Sequence, residues 1–239
     1  KCFTKFIEKI PPVGKGFVCN DDQNLKKIIR KTKNKNFYTY GKDKKSNFQI
    51  VNIKQTSNFS SFDIKINIPS KKKIIKRIKL PMIGIHNIRN ATAAISLAFT
   101  IGLPEKCIKA GLYNFKGVQR RFSHLFDHNK ISFYDDYAHH PTEISSVLSG
   151  VKNVHKNKEI VCVFQPHRIS RVINLKKEFS KCFKMADTVL LCPIYTANEK
   201  LRLNFTYHAF AKLIIKNSNV KLILIEDELQ LRRFIKQNV

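Results

Sequence analysis

The sequence predicts an α/β protein in which a mixed sheet with helices is followed by a doubly wound parallel sheet. Between residues 48 and 80, apolar and polar residues alternate with a period of two, which is typical of half-buried strands. From residue 131 onward, short apolar segments alternate with segments of helical spacing, a pattern that favours parallel strands joined by helices. Polar clusters directly follow two of these strands, so we expect them at one edge of the parallel sheet.

The first part of the chain is predicted to contain the mixed sheet. In order, its predicted elements are a strand at 16–19, a helix at 23–30, a strand at 37–41 and the alternating strands of 48–80, within which the lysine run 71–73 would form a hairpin turn. Asp21 and Asp22 directly precede the first helix, and an Asp in that position caps a helix well.

Two helices and a hinge complete the first part. Apolar residues between 91 and 101 recur at helical spacing, and Pro104 occupies a position where proline commonly opens a second helix, which would run to about residue 115. Gly117 and Val118 then separate the two patterns. The sequence therefore predicts one domain at 1–117 and another at 118–239.

The second domain shows a regular alternation. Its predicted strands are 131–135, 159–164, 187–194 and 220–225, and its predicted helices are 141–155, 171–185, 205–217 and 227–236. Helices of 10–15 residues between strands indicate a parallel sheet covered on both faces.

The formal charge of +28 raises the alternative of a basic nucleic-acid-binding module. Such modules usually interleave aromatic residues with their cations, but the lysine-rich stretches 26–35 and 71–79 contain none. We therefore interpret the lysines as a bias of the whole chain and expect no nucleic-acid partner. A basic surface still attracts small anionic substrates through its summed field.

Composition also bears on the compartment. The six cysteines form no CxxC pair, which argues against a disulfide framework and a zinc site. No apolar run approaches the roughly 20 residues that a membrane-spanning helix needs, so we expect a cytoplasmic protein without a membrane partner. The chain lacks an initiator methionine and stops within the alternation, so we expect a piece of a longer protein.

Asn87 and Asn90 stand three residues apart at the predicted start of a helix. An asparagine amide donates and accepts hydrogen bonds together, as recognition of an adenine edge requires. The helix dipole at this end also favours an anion. The alternative is that one of the two asparagines only caps the helix.

Arg120 and Arg121 follow the Gly117 hinge. An arginine at a hinge can reach a phosphate when two domains close, where it would stabilise charge during phosphoryl transfer. The alternative is a pair of solvated surface cations.

Carboxylates and histidines follow the strand at 131–135. Either Asp135 or Asp136 could cap the next helix, which leaves the other to bind a ribose or a substrate amine. His139 and His140 are adjacent and point apart, and no third ligand has suitable spacing, so we expect no metal site in this chain.

His167, Arg168 and Arg171 follow the strand at 159–164. Two arginines three residues apart can grip one carboxylate or phosphate together. Surface cations at a helix N-terminus are a weaker interpretation, because the helix dipole disfavours them there.

With these motifs in order, the chain resembles the Mur ligase family. The resemblance extends over essentially the whole chain and is carried by four motifs: Gly84-x-His86-Asn87-x-x-Asn90-Ala91, Phe115-x-Gly117-Val118-x-Arg120-Arg121-Phe122, Asp135-Asp136-Tyr137-x-His139-His140-Pro141-Thr142-Glu143 and Phe164-Gln165-Pro166-His167-Arg168-x-x-Arg171. It implies the C-terminal part of an ATP-binding central domain followed by a truncated Rossmann-like C-terminal domain.

The resemblance also implies an activity and its substrates. Such a ligase would use ATP and Mg²⁺ to form an acyl phosphate on the carboxylate of UDP-N-acetylmuramate, which L-alanine then attacks in peptidoglycan precursor synthesis. The family's phosphate loop and main magnesium ligands would lie upstream of residue 1, since the chain contains no GxxxxGK[ST] motif. The chain alone is therefore expected to be inactive.

Residue roles follow from the same resemblance. The implied ATP-binding residues are Asn87, Asn90, Arg121 and Asp136; the implied substrate-binding residues are Tyr137, His139, His140, His167, Arg168 and Arg171; and the implied catalytic residues are Arg121, His139 and His167.

One departure leaves a second substrate open. Ala138 stands where family members that add L-alanine usually have glycine, whereas the ligase that attaches a whole tripeptide during murein recycling tends to have alanine there. The Gln165-Pro166-His167-Arg168 run instead favours the alanine-adding enzyme.

Overall fold

A computed structural model describes residues 2–199 and 206–238. The chain divides into two compact units, Lys1–Lys116 and Gly117–Val239. All six cysteines lie within the described residues and are free thiols. None of the helices in the described ranges is long and apolar enough to cross a membrane.

The first unit is built on a five-stranded mixed sheet. Its elements are α1 (Cys2–Glu8), β1 (Gly16–Cys19), α2 (Gln23–Lys31), β2 (Phe37–Gly41), β3 (Phe48–Gln55), β4 (Ser60–Ile68), β5 (Lys71–Leu80), α3 (Ile85–Thr100) and α4 (Glu105–Tyr113). The strands lie in the order β1-β2-β3-β4-β5. β1, β2 and β3 pair in parallel, and β3, β4 and β5 pair antiparallel.

The alternating residues of β4 form the centre of the first core, as the period-two pattern predicts. Phe62, Ile64 and Ile66 are buried on one face, where they belong to the same cluster as Ile88 of α3 and Ile108 of α4. Burial of large aliphatic side chains is the main stabilising term in such a core.

The predicted turn at 71–73 is wrong. Lys71 already pairs with Ile68, so the turn consists of Pro69 and Ser70 and the lysines open strand β5. β5 is one of the two edge strands of the sheet, and lysines on an edge strand discourage pairing with other chains.

The second unit combines a hairpin with a parallel sheet. Its elements are β6 (Ser123–His128), β7 (Ile131–Asp135), α5 (Pro141–Val154), β8 (Val161–Phe164), α6 (Ile169–Asn174), α7 (Lys176–Phe179), β9 (Thr188–Leu191), α8 (Tyr207–Ser218), β10 (Lys221–Leu224) and α9 (Glu228–Asn238). The parallel strands lie in the order β10-β9-β8, and β6 pairs antiparallel with β7.

The central strand β9 is buried at all four positions, as expected for a parallel strand covered on both faces. Val189 and Leu191 contribute to a cluster with Phe179, Phe183 and Phe210. The α/β class and a parallel sheet are as predicted, but the predicted strand at 131–135 does not belong to that sheet: as β7 it pairs with β6.

Details of three elements in the second unit differ from the prediction. β7 pairs with β6, a strand that the sequence analysis did not predict, through a turn in which Asn129 and Lys130 both have positive φ. The predicted helix 171–185 is replaced by α6 and α7, which meet at Leu175. Of the predicted helix 205–217, residue 205 lies outside the described residues and the helix begins at Tyr207.

Candidate functional site

Helix α3 of the first unit begins at Ile85, and the residue before it, Gly84, is its N-cap and has φ +92°. Glycine fits this left-handed backbone, and a Cβ at Gly84 would lie 2.5 Å from the ring of His86. Because Gly84 occupies the cap position, the interpretation of Asn87 or Asn90 as the N-cap is wrong. Asn87 lies in the first turn and Asn90 follows one turn later.

The two asparagines differ in what holds them. Asn87 Nδ2 donates to the carbonyl of Ile83 at 2.8 Å, which fixes its amide and leaves the side-chain oxygen as an acceptor. Asn90 is exposed at the surface of the unit. Sequence reasoning identified both positions but not the bond to Ile83.

Arg89, between the two asparagines, anchors α3 to the end of β1. Its Nε donates to Asp21 Oδ2 at 2.7 Å, while Asp21 Oδ1 accepts from the backbone N–H groups of Lys42 and Asp43 at 2.8 and 3.1 Å. Asp22, not Asp21, caps α2 by accepting from Leu25 N. The sequence carries no local signal for the Arg89–Asp21 pair, because 68 residues separate them.

The segment that opens the second unit is fastened to the end of β7. Arg120 and Phe122 both have positive φ, at 59° and 51°. The Arg120 carbonyl accepts from Tyr137 N, and Asp136 Oδ2 accepts from Phe122 N, each at 2.7 Å. These bonds hold the backbone on both sides of Arg121.

The two arginines of this segment have different contacts. The Arg120 guanidinium lies 4.9 Å from the centre of the Tyr137 ring, and its Nε lies 3.3 Å from Asp135 Oδ2. Arg121 Nη1 lies 4.0 Å from Glu143 Oε1, a weak and solvent-screened pairing. Of the two guanidinium groups, that of Arg121 therefore has the weaker contacts.

Asp136 serves as a brace. Its Oδ2 accepts from Phe122 N, and its Oδ1 accepts from Ala138 N at 2.7 Å. A carboxylate oxygen has a further lone pair, so these bonds leave acceptor capacity for a ribose hydroxyl.

The start of α5 uses His140 and Glu143 as a reciprocal cap. His140 Nδ1 accepts from Thr142 N at 3.3 Å, and Glu143 Oε2 accepts from the backbone N–H groups of His139 and His140, both at 3.2 Å. Burial alone would raise the pKa of the Glu143 carboxyl. The two backbone hydrogen bonds, with His139 and Arg121 nearby, outweigh burial and hold this pKa below its usual range.

The end of β8 carries a strained backbone. Arg168 has φ +68° and ψ 122° as the N-cap of α6, a conformation that costs a residue other than glycine about 1–3 kcal/mol. Such strain persists where surrounding contacts enforce it, often at functional sites. Arg171, one turn into α6, points Nη1 toward the His167 carbonyl at 3.5 Å.

His167 is a half-buried ring among cations. Burial, and then the charges of Arg171, Arg168 and His139, lower the pKa of His167, against which Glu199 acts in the opposite direction. The lowered pKa favours the neutral form of the ring.

Tyr137, His139, His167, Arg168 and Arg171 lie near the ends of β7 and β8 and are here called the strand-end cluster. The segment after β9 also reaches this cluster, and sequence reasoning missed that segment. Arg168 N donates to Tyr195 O at 2.9 Å, and Tyr195 N donates to Pro166 O at 2.8 Å. Glu199 accepts from Ser170 N at 2.8 Å and from Ser170 Oγ at 2.7 Å. β8 lies beside β9 in the parallel sheet, so the two strand ends meet.

Rings from three strand ends form a row. Tyr137 and His139 centroids are 5.0 Å apart, His139 and His167 6.4 Å, and His167 and Tyr195 5.1 Å. The structure thus brings together the predicted residues of β7 and β8 and adds Tyr195. Among the described residues, no group of three or more potential metal ligands clusters here or elsewhere.

Comparison with known proteins identifies both units. Residues 1–98 match the Mur ligase middle domain, and residues 120–233 match the Mur ligase glutamate ligase domain. The chain belongs to the Mur ligase family. The strand-end cluster and the ring row thus lie in the glutamate ligase domain of a Mur ligase, and the α3 asparagines lie in its middle domain.

Two similar Mur ligases have the same name, UDP-N-acetylmuramate–L-alanine ligase. The chain is 59% identical over 238 residues to the UDP-N-acetylmuramate–L-alanine ligase of Pelagibacter ubique, covering 99% of this chain and 51% of that protein. It is 37% identical to the ligase of the same name from Mesorhizobium japonicum, covering 83% of this chain and 43% of that protein.

A solved Mur ligase structure supports the same fold. The UDP-N-acetylmuramate-alanine ligase of Thermotoga maritima superposes with a TM-score of 0.64 at 28% identity, over 82% of this chain and 41% of that one. The chain spans about half the length of the curated relatives it matches.

Proposed function

We propose that this chain forms part of an ATP-dependent ligase that joins L-alanine to the carboxylate of UDP-N-acetylmuramate during peptidoglycan precursor synthesis. Residues 1–117 would be the end of the central ATP-binding domain and residues 118–239 most of the C-terminal domain. The 59% identity to a ligase of that name supports the proposal.

The observation that carries the proposal is the strand-end cluster of the second unit. Arg168 and Arg171 supply planar cationic forks suited to a carboxylate or phosphate. Tyr137 and His139 would form the wall of a small amino-acid pocket beside them, and His140, the cap of α5, would also contribute to binding the substrate. These are the parts that an alanine-adding site needs.

His167 fits the role of proton acceptor. L-Alanine must lose a proton from its ammonium group before its nitrogen can attack an acyl phosphate. Burial and the neighbouring arginines lower the pKa of His167, which favours the neutral ring, and the unprotonated nitrogen of that ring would take the proton. The attack would form the C–N bond and expel phosphate, with Arg121 and His139 as further candidates for stabilising charge.

We propose the ATP-binding residues from the two asparagines of α3 and from Asp136 at the end of β7. Asn87 and Asn90 would contact the adenine side of ATP, Arg121 its phosphates and Asp136 its ribose. Mur ligases are ATP-dependent and generally need Mg²⁺, whose main ligands we place in the half of the enzyme that this chain does not contain.

A competition assay tests the proposal. The complete enzyme is given UDP-N-acetylmuramate, ATP and Mg²⁺ with equal concentrations of L-alanine and the L-Ala-γ-D-Glu-diaminopimelate tripeptide. We expect the alanine product to predominate. In a separate assay with glycine as the amino acid, we expect weak ligation, because one missing methyl group is worth only about 1–3 kcal/mol. Preferential ligation of the tripeptide, the alternative that Ala138 raises, would replace this proposal with a murein recycling ligase.

A further inference from the structure

The segment from Pro193 to Glu199, here called the β9 loop, lies across the end of β8. Gln165 donates to the Pro193 carbonyl at 3.3 Å, and the backbones of His167 and Tyr195 form a parallel bridge. The β9 loop therefore continues the pairing of β8 and β9 beyond both strands, up to the residues of the strand-end cluster.

Two sets of contacts from the β9 loop enclose Arg168. On one side, the Tyr195 carbonyl accepts the Arg168 N–H at 2.9 Å. On the other side, both carboxylate oxygens of Glu199 hold Ser170, two residues further along, through its backbone N–H and its hydroxyl. The left-handed backbone of Arg168 lies between these two anchors.

We propose that Tyr195 and Glu199 are positioning residues, which hold His167 and Arg168 in the arrangement that receives the incoming amino acid. This inference rests on the proposed function for the identity of that amino acid. Neither residue needs to touch the substrate: Tyr195 lies against the His167 ring, and Glu199 acts through Ser170 on the backbone of Arg168.

Charge supports this role for Glu199. Among the described residues, the charged groups that act most strongly on the pKa of His167 are the cations Arg168 and Arg171, the ring of His139 and the carboxylate of Glu199. Glu199 is the one anion among them, so it both fastens the α6 end and offsets the repulsion between neighbouring cations there. A residue that only capped a helix would have the first effect without the second.

The first experiment needs no substrate. Titration of the His167 ring by NMR in this chain is compared for the parent, Glu199→Gln and Glu199→Ala. Removing the anion should lower the pKa of His167 in both variants, because Glu199 raises it in the parent. Glu178→Gln, at an exposed glutamate of α7, is the matched control and should leave the His167 titration unchanged. An unchanged titration in both Glu199 variants would overturn the proposal.

The second experiment uses the complete enzyme. Glu199→Ala should raise the KM for L-alanine by up to about 100-fold, the cost that a misplacement of about 1 Å can reach, while the KM for ATP changes little. Glu199→Gln retains one acceptor oxygen for Ser170 and should restore much of the loss. Equal rises in both Michaelis constants, or none, would contradict the proposal.

A double-mutant cycle with Arg168→Ala tests whether Glu199 affects L-alanine binding through Arg168. If Glu199 acts through Arg168, adding Glu199→Ala to Arg168→Ala should change the KM for L-alanine much less than it does in the parent. Full additivity would exclude that route. Should Glu199→Ala fail to fold, Ser170→Ala removes only the hydroxyl bond and should give a smaller rise of the same kind.

The two proposals fail differently. A parent enzyme that prefers the tripeptide would overturn the proposed function, and the His167 titration would still test the positioning role. A parent enzyme that uses L-alanine, with Glu199→Ala indistinguishable from it, would overturn the positioning role alone.

Discussion

At the scale of single residues, Asn87 and Asn90 are similar in sequence and different in structure. The Asn87 amide donates to the Ile83 carbonyl, whereas Asn90 is exposed. Substitution should therefore separate a contribution to stability from a contribution to binding, which the sequence pattern alone could not do.

We expect Asn90→Ala in the complete enzyme to raise the KM for ATP more than the KM for L-alanine, with little change in melting temperature. Asn87→Ala should raise the same constant and also lower the free energy of unfolding by about 0.5–1.5 kcal/mol, because it deletes a hydrogen bond. Both Michaelis constants and the melting temperature are measured for each variant. A loss of stability without a change in either KM would remove the asparagines from the nucleotide site.

Glu143 should make the second unit sensitive to acid. Its pKa is lower in the folded state than its ordinary value of 4.5, so its carboxylate stabilises the fold above that pH. This contribution is lost as the pH falls below 4.5 and through the folded-state pKa.

Thermal unfolding of the chain between about pH 6 and pH 3 checks the expectation. Glu143→Gln cannot titrate and should lower the melting temperature near pH 6 while flattening its fall toward pH 3. Glu178→Gln serves as the control, since Glu178 is exposed on α7. Parallel curves for Glu143→Gln and the parent would contradict the role of this cap.

Residue chemistry near a strand end was predictable, but its partners often were not. Tyr137, His139, His167 and Arg168 could be proposed because they directly follow apolar segments. Glu199 could not, because 29 residues separate it from Ser170 and only the β8–β9 pairing brings them together.

At the scale of elements, the β6–β7 hairpin shows how a turn can escape a sequence pattern. Asn129 and Lys130 both have positive φ, as a two-residue type I′ turn requires. Asn-Gly is the usual sequence signal for this turn, and the sequence analysis did not predict the turn because residue 130 is lysine rather than glycine. β4 could be predicted from its period-two pattern, because its buried residues face one core. β9 could be predicted from a continuous apolar run, because all its positions are buried.

The hairpin gives a stability prediction. Lys130→Gly should raise the free energy of unfolding by ~0.5–1 kcal/mol, since a left-handed residue other than glycine costs roughly 1–2 kcal/mol and glycine's extra entropy in the unfolded chain offsets part of the gain. Chemical denaturation measures the change. Lys156→Gly, in an exposed turn after α5, is the control and should be neutral or destabilising; a loss of stability in Lys130→Gly would contradict the turn assignment.

At the scale of the whole molecule, the chain is expected to be catalytically incomplete. It matches a Mur ligase middle domain and a glutamate ligase domain, spans about half of its relatives, and contains no GxxxxGK[ST] phosphate loop.

We predict that the purified 239-residue chain does not hydrolyse ATP above background, with or without UDP-N-acetylmuramate and L-alanine. Phosphate release under conditions in which the complete enzyme turns over is the measurement, and the complete enzyme is the positive control. Turnover by the chain that disappears in its Asn90→Ala variant would overturn this prediction.

Main-chain hydrogen bonds hold each strand end of the second unit: Tyr137 N to Arg120 O at the end of β7, and Arg168 N to Tyr195 O and Tyr195 N to Pro166 O between the ends of β8 and β9. Main-chain bonds survive most exchanges of side chain. The frame of the cluster can therefore remain while the rings that it displays are replaced. A library randomised at Tyr137, His139 and Tyr195 should consist largely of folded proteins, which makes this edge a scaffold on which the choice of amino acid can be rewritten by selection.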